Sequence, residues 1–358
     1  MPLKLSFLYG VTLGEWAKLL RDNSFDIEMY GLGSAALITL MSLFNSAFAR
    51  ADAALPLPSA PAQPPIFILG HWRSGTTHLH YLLNQDPQLV APTTYQMANP
   101  HGFLRSERWH KPLLAPLAPR ERPQDAMAFG LDHPAEEEIG LAAMCPYTPY
   151  IGWAFPKREL HYRRYLSFEH ATDQERAAFL DALDHLLRKL SARDGRAVVL
   201  KSPGHTARLP MLLERWPDAR FIVLHRDPYE VFRSSVHLYQ TWWDSFAFLQ
   251  RPRRDGFEER VLDLYEIMHR RFFATEHLLP PERTSTVAYR ALVHDPIGAL
   301  SRVYREIQLP NFPEARVRAY LETLRGYANN TYTPIPERWR AEVRRRWAPS
   351  FERWGYAP

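Results

Sequence analysis

Ile66-Phe67-Ile68-Leu69-Gly70-His71-Trp72-Arg73-Ser74-Gly75-Thr76-Thr77-His78-Leu79-His80 is the stretch that decides the fold. The apolar run Ile66–Leu69 reads as a buried parallel strand. A loop with Gly at each end follows, then a segment with Thr77, Leu79, Tyr81, Leu82 and Leu83 that starts a helix. Strand, glycine loop and helix together present backbone N–H groups and a helix N-terminus to a phosphate. The spacing Gly70-x-x-x-x-Gly75-Thr76-Thr77 nearly copies the nucleotide-triphosphate loop, but Thr76 stands where that loop has Lys, and the cation is Arg73. This predicts an anion site and weakens a magnesium-ATP reading. A tight turn with no ligand is the alternative.

A second strand of the same kind, Phe221-Ile222-Val223-Leu224, ends in His225-Arg226-Asp227-Pro228, and Pro228 opens a helix that carries Ser234. Arg226 and Ser234 can grip a phosphate by charge and hydrogen bond; a structural pair of Arg226 with Asp227 or another acid is the plainer reading. A third strand, Ala197–Leu200, delivers Lys201-Ser202-Pro203-Gly204-His205 at its carboxyl end, where parallel sheets bind ligands. Lys201 either balances anionic charge or caps a carbonyl or pairs with an acid. His205 starts the next helix, and is either functional or structural. In Leu131-Asp132-His133-Pro134-Ala135-Glu136-Glu137-Glu138-Ile139, Pro134 is expected in the first turn of a helix, with carboxylates at the positive end of its dipole. On a helix only one or two of the three glutamates can face one cleft.

Arg73-Ser74-Gly75-Thr76-Thr77 after an apolar strand resembles the 5′-phosphosulfate loop of sulfotransferases that use 3′-phosphoadenosine 5′-phosphosulfate (PAPS). The wording from Phe67 to Thr77 is similar to a bacterial-type branch, and the likeness runs from about residue 60 to the end. The resemblance implies that Arg73, Ser74, Gly75, Thr76 and Thr77 wrap the 5′-phosphate and that Arg226 and Ser234 hold the 3′-phosphate. Tyr289, ending the strand Thr286-Val287-Ala288, contacts the adenine or the 3′-phosphate, or is a half-buried strand tyrosine. The resemblance also makes one of Glu136, Glu137 and Glu138, with Glu136 preferred, the base that deprotonates an acceptor hydroxyl. It implies that PAPS is co-substrate with no metal expected; on that reading Arg73, Lys201 and the loop N–H groups stabilise charge building on the sulfonate, and His205 remains a catalytic candidate beside its structural reading. The rivals are a phosphoryl-transfer enzyme with a degenerate loop and a non-catalytic, membrane-associated nucleotide-binding protein.

Composition sets the bounds. The 358 residues suffice for one large α/β domain with a helical extension, and a net charge of +5 is too mild to argue for nucleic acid. A single cysteine, Cys145, excludes an internal disulfide framework and reads as a buried small hydrophobe. From Met29 to Ala49 no residue is charged, about the 20 that a spanning helix needs. Gly31, Gly33, Ser34, Thr39, Ser42, Asn45 and Ser46 lower its hydropathy. Leu37, Leu40, Met41, Phe44 and Phe48 give it one apolar face, for a bilayer, a partner or the domain itself.

The proline-rich run Leu55–Pro65 reads as a stiff linker. Residues 173–191 and 257–278 read as helices, and Asp295-Pro296 opens another. Asn329, Asn330 and Tyr332 form a polar turn able to approach a nucleotide. Trp339, Val343, Trp347, Phe351 and Trp354 mark a helical tail among arginines.

The expected architecture is a three-layer α/β/α fold around a parallel sheet. It divides into an N-terminal helical segment (1–50), a linker (51–65) and a catalytic domain (66–358). The expected protein is cytoplasmic or membrane-associated, with a small-molecule hydroxyl acceptor and peripheral membrane contact through the N-terminal helix. The aromatic content of 13% and that apolar helix point to a hydrophobic or lipid-like alcohol.

Overall fold

The computed structural model describes residues 6–117, 129–193, 195–246, 248–252, 255–326 and 332–358. They form two compact units that interleave along the chain. One takes Gln63–Ala91, Arg196–Thr241 and Asp255–Pro358; the other takes Met1–Ala62, Pro92–Gly195 and Trp242–Arg254.

The first unit holds the sheet: β1 (Ile66–Leu69), β2 (Leu89–Val90), β3 (Ala197–Leu200), β4 (Arg220–His225) and β5 (Thr284–Ala288), in the order β2-β3-β1-β4-β5. Every pairing is parallel; Ile66 lies opposite Val199 on one side and Arg220 on the other. β1 and β3 are buried at every position, as unbroken apolar runs covered on both faces should be. Alternation along β1 sends Ile66 and Ile68 into one core layer with Leu79, Leu82, Ile222, Leu224 and Val303. Phe67 points into the other, against Phe221, Trp216 and His205. The result is the three-layer α/β/α arrangement expected from the strands.

Two details of this unit differ from the sequence reading. Lys201 is followed by a 3-10 turn, Pro203–Ala207, and the α-helix begins only at Leu209, so His205 sits inside the turn. The tail forms two helices, Glu337–Arg346 and Ala348–Trp354, rather than one; Pro349 has no N–H with which to continue the ladder. Val343, Trp347 and Phe351 are buried. Arg346 meets Glu259, Asp263 and Glu266 at 2.6–3.1 Å, so the tail's basic face is partly paired within the unit.

The second unit is helical. The helix expected over Met29–Ala49 is a 3-10 turn, Met29–Gly31, followed by Leu32–Ala53. The face that packs is not the one that carries Leu40 and Phe44. Ala35, Ile38, Ser42, Asn45 and Asp52 are the buried positions, whereas Leu40, Leu43 and Phe44 are exposed. Small residues allow close approach, and the polar ones find partners. Asn45 donates to the carbonyls of Tyr9 (2.7 Å) and Val11 (2.9 Å), Ser46 Oγ accepts from Leu13 N–H, and Thr39 Oγ1 accepts from Trp16 Nε1.

Asp52 caps the helix Phe103–Leu114, accepting from the N–H groups of Leu104 and Arg105 at 3.0 Å each. It also meets Lys189 Nζ at 3.0 Å, with both side chains 3% exposed or less. Lys189 lies on the helix Asp173–Ser191, whose stripe Phe179, Leu180, Leu183, Leu186, Leu187 and Leu190 is buried as expected. Desolvation pulls the Lys189 ammonium below the usual lysine range against the attraction of Asp52. Lys189→Met therefore leaves a buried carboxylate without its counter-ion. Urea unfolding is expected to show a loss of about 3 kcal/mol, the low end for a broken buried pair because two N–H groups remain on Asp52. The double variant Lys189→Met/Asp52→Asn is expected to recover part of it; a loss within error of zero would show that the pair contributes nothing.

Candidate functional site

Because all five strands are parallel, their carboxyl ends share one edge of the sheet. Gly70, Lys201, Arg226 and Tyr289 each leave one of the four neighbours β1, β3, β4 and β5 at that edge. β1 lies between β3 and β4, where the strand order turns, which is where open α/β sheets bind ligands.

The loop after β1 is held in a strained form. Gly75 has φ +99°, and Arg73, a non-glycine, has φ +66°. Gly70 N–H donates to Thr206 Oγ1 at 2.7 Å, which ties the loop to the turn after Lys201. Ser74 Oγ donates to His71 O at 2.7 Å and Ser74 N–H to the same carbonyl at 3.1 Å. That hydroxyl closes the loop on itself. Gly75 then caps the helix Thr76–Leu83, with Thr76 buried and Thr77 half-buried in its first turn, so the helix N-terminus opens at the loop. Burial pushes His71 down to about 4, so its ring is neutral near pH 7.

Arg226 and Ser234 come to this loop. Arg73 Nε donates to Ser234 Oγ at 2.8 Å, and Arg226 Nη1 donates to Arg73 O at 3.0 Å. Asp227 does not pair with Arg226: it caps the helix Pro228–Ser245 through the N–H groups of Tyr229 (2.8 Å) and Glu230 (3.2 Å). Glu230, one turn on, meets Arg226 at 3.4 Å and Arg233 at 2.5 Å. The Arg226 guanidinium lies 4.5 Å from the Tyr289 ring centroid. That ring crosses the loop so closely that a Cβ at Gly75 would stand 2.2 Å from Tyr289 Cδ2; Gly75 is required by this approach as well as by its φ.

Tyr332 shares a hydrogen bond with Ser234 Oγ (2.9 Å) and lies under the Arg233 guanidinium, 5.3 Å from its ring centroid. Asn329 and Asn330 lie outside the described residues. Burial, and the cation of Arg73, hold His237 below the usual histidine range. Lys201 and His205 are buried at 3% and 0% exposure, with the His205 ring edge-on to Phe67 at 5.2 Å. The sequence offers Arg233 only as a neighbour of Ser234. Its position beside Glu230 and Tyr332 comes from the helix turn.

The acidic element belongs to the helical unit. Pro134 is not in a first turn: it forms an antiparallel bridge with Thr93, and His133 O and Leu131 O accept from Thr94 and Tyr95. A turn at 131–132 and this bridge at Pro134 come before the helix, which begins only at Glu137 and runs Glu137–Met144, with Glu136 at its N-cap. Glu138 is buried and accepts from Thr148 Oγ1 at 2.5 Å; Glu137 is buried completely. Glu136 is half-buried, and the Tyr150 hydroxyl donates to its Oε2. Tyr150 is itself buried and stacked on Phe7, with centroids 4.7 Å apart. Nothing in the local sequence marks Tyr150, fourteen positions on. Burial pushes the Cys145 thiol up to about 12, which suits an inert core residue.

Residues 64–314 match the model of a family described as the sulfotransferase family. Over 357 residues the chain is 34% identical to proteins named omega-hydroxy-beta-dihydromenaquinone-9 sulfotransferase Stf3 from Mycobacterium bovis and Mycobacterium tuberculosis, covering 97% of this chain and 90% of each relative. Among solved structures, sulfotransferase STF9 from Mycobacterium avium superposes with a TM-score of 0.69 at 19% identity, over 91% of this chain and 86% of that one. Sulfotransferase STF1 from Mycobacterium tuberculosis does so with a TM-score of 0.60 at 19% identity, over 94% and 92%. At that identity the two structures speak to the fold.

Proposed function

The chain belongs to the sulfotransferase family, and on that premise we propose that it moves a sulfonate group from PAPS to the hydroxyl of a hydrophobic, lipid-like acceptor. The observation that carries the donor assignment is the knot of Arg73, Ser234 and Arg226 at the ends of β1 and β4. It gathers cations and hydroxyls from both strand-end motifs in one place, as a nucleotide phosphorylated at both ends of its ribose requires. The residues present fit such a group: a glycine loop that opens onto a helix N-terminus, three arginines and a tyrosine ring against the loop.

Bound there, the donor would supply an already activated sulfonate, and the family implies no other cofactor. The first-turn N–H groups with Thr76 and Thr77 would hold the 5′-phosphate, with Ser74 closing the loop. Arg226 and Ser234 would hold the 3′-phosphate, with Tyr289 beside them. Lys201, at the end of β3, would offset negative charge building on the leaving oxygen, and His205 would pack behind it as part of the turn. Glu136 would take the acceptor proton. It is the least buried of the three glutamates, and the Tyr150 hydroxyl fixes which way its carboxylate faces.

The lipid-like acceptor draws support from the Stf3 relatives, whose name is that of a menaquinone-modifying enzyme. A cytoplasmic enzyme with peripheral membrane contact would meet such a substrate at the bilayer surface. The test is to supply PAPS with a panel that pairs long-chain hydroxylated quinones or prenyl alcohols with short water-soluble alcohols. Mass spectrometry is expected to find sulfated product preferentially from the long-chain members; product from the short alcohols alone would overturn the acceptor assignment.

A further inference from the structure

The helix Leu32–Ala53 is packed the reverse way for a helix of a water-soluble unit. Its inward stripe, Ala35, Ile38, Ser42, Asn45 and Asp52, is small or polar apart from Ile38, while Leu32, Leu40, Leu43 and Phe44 face out at 51–59% exposure. Met29, at the start, is 89% exposed. A second helix extends this face. On Phe103–Leu114 the exposed positions Arg105, Arg108, Trp109, Pro112 and Leu113 recur at helical spacing, and the Trp109 ring packs edge-on against Phe48 of the first helix at 5.5 Å.

Among the described residues of these two helices, the exposed charged residues are all arginines. No Asp or Glu occurs between Met29 and Ala51. Arg50 stands seven residues beyond Leu43, on the same line of the helix, and Arg105 and Arg108 share their helix face with Trp109 and Leu113. All three arginines are exposed. Leucine and phenylalanine flanked by arginine, with a tryptophan alongside, form the arrangement that sits at a bilayer interface: apolar side chains enter the acyl region and guanidiniums remain among the headgroups.

From these observations we propose that the outer faces of Leu32–Ala53 and Phe103–Leu114 together form a docking surface for an anionic phospholipid bilayer, with the first helix lying in the interface plane rather than crossing it. This deepens the peripheral contact proposed above and is independent of the acceptor. The in-plane geometry follows from the inner stripe. Asn45 holds the carbonyls of Tyr9 and Val11, and Asp52 holds Leu104 and Arg105 N–H together with Lys189. A spanning helix would leave those groups without partners in hydrocarbon. A second copy of this chain, the other candidate occupant, would face the same arginines with like charge.

The test uses the full chain and vesicles of phosphatidylcholine alone or mixed with phosphatidylglycerol, followed by sedimentation, with no donor or acceptor present. Binding is expected to the mixed vesicles, and to fall by about fivefold for each of Arg50→Gln and Arg108→Gln. Leu40→Glu with Phe44→Glu is expected to abolish it, with the circular dichroism spectrum and the unfolding midpoint unchanged. Turnover of a water-soluble acceptor should be equal in wild type and variants, which separates this surface from the catalytic assignment. Equal binding to neutral vesicles, undiminished binding by the Leu40→Glu/Phe44→Glu variant, or resistance to extraction by alkaline carbonate would each overturn the proposal. So would a dimer in solution that this variant dissociates while wild type ignores vesicles.

Discussion

Glu136→Gln is expected to lower turnover by about 10²- to 10⁴-fold while leaving the affinity for 3′-phosphoadenosine 5′-phosphate unchanged. That range is typical for removal of a positioned general base. Gln keeps the volume, and its carbonyl oxygen still accepts from the Tyr150 hydroxyl, so the extended N-cap and the helix Glu137–Met144 should be preserved. What is lost is a group able to take the acceptor proton. Pre-steady-state measurement with saturating donor separates the chemical step from binding. Glu138→Gln is the control: its carboxylate is buried on Thr148 Oγ1, and the expected consequence is reduced stability with a smaller change in rate. Turnover of Glu136→Gln within about threefold of wild type would reassign the base.

Arg226→Ala is expected to weaken 3′-phosphoadenosine 5′-phosphate binding by about 2–5 kcal/mol, roughly thirtyfold or more, and ATP binding far less, because ATP lacks the 3′-phosphate. Arg226 is also structural: it donates to Arg73 O and covers Tyr289, so its removal will loosen the loop for either nucleotide. The selectivity between the two ligands is therefore the informative quantity. Isothermal calorimetry on wild type, Arg226→Ala and Ser234→Ala measures it. Ser234→Ala is expected to follow the same order with a smaller loss of about 1–2 kcal/mol, since it removes one neutral hydrogen-bonding partner. Equal losses for both nucleotides would place the 3′-phosphate elsewhere.

The two strand-end motifs were legible because strands buried on both faces are written as unbroken apolar runs, and the loop that follows each must solve a local backbone problem with Gly, Pro or a capping acid. The membrane-like stretch was legible in extent but not in orientation. Hydropathy marks where leucines fall on a helix, but the burial of Asn45 depends on carbonyls of Tyr9 and Val11, more than 30 positions away. The start of the acidic helix likewise depends on a distant pairing. Pro134 commonly opens a helix, and here pairing with Thr93 holds it extended.

The amino-acid sequence by itself determined the parallel sheet, the glycine loop after β1, the cationic and hydroxyl side chains at two strand ends, and the family, since each is encoded within fifteen or so consecutive residues by periodicity and turn chemistry. Only the tertiary structure decided that Arg73 Nε meets Ser234 across 161 positions, that Tyr289 lies against Gly75, that Tyr150 orients Glu136, and which face of the N-terminal helix is turned outward. Those contacts join segments far apart in the chain. Their geometry is set by how strands order themselves in the sheet and how helices satisfy buried polar groups, which no local pattern records.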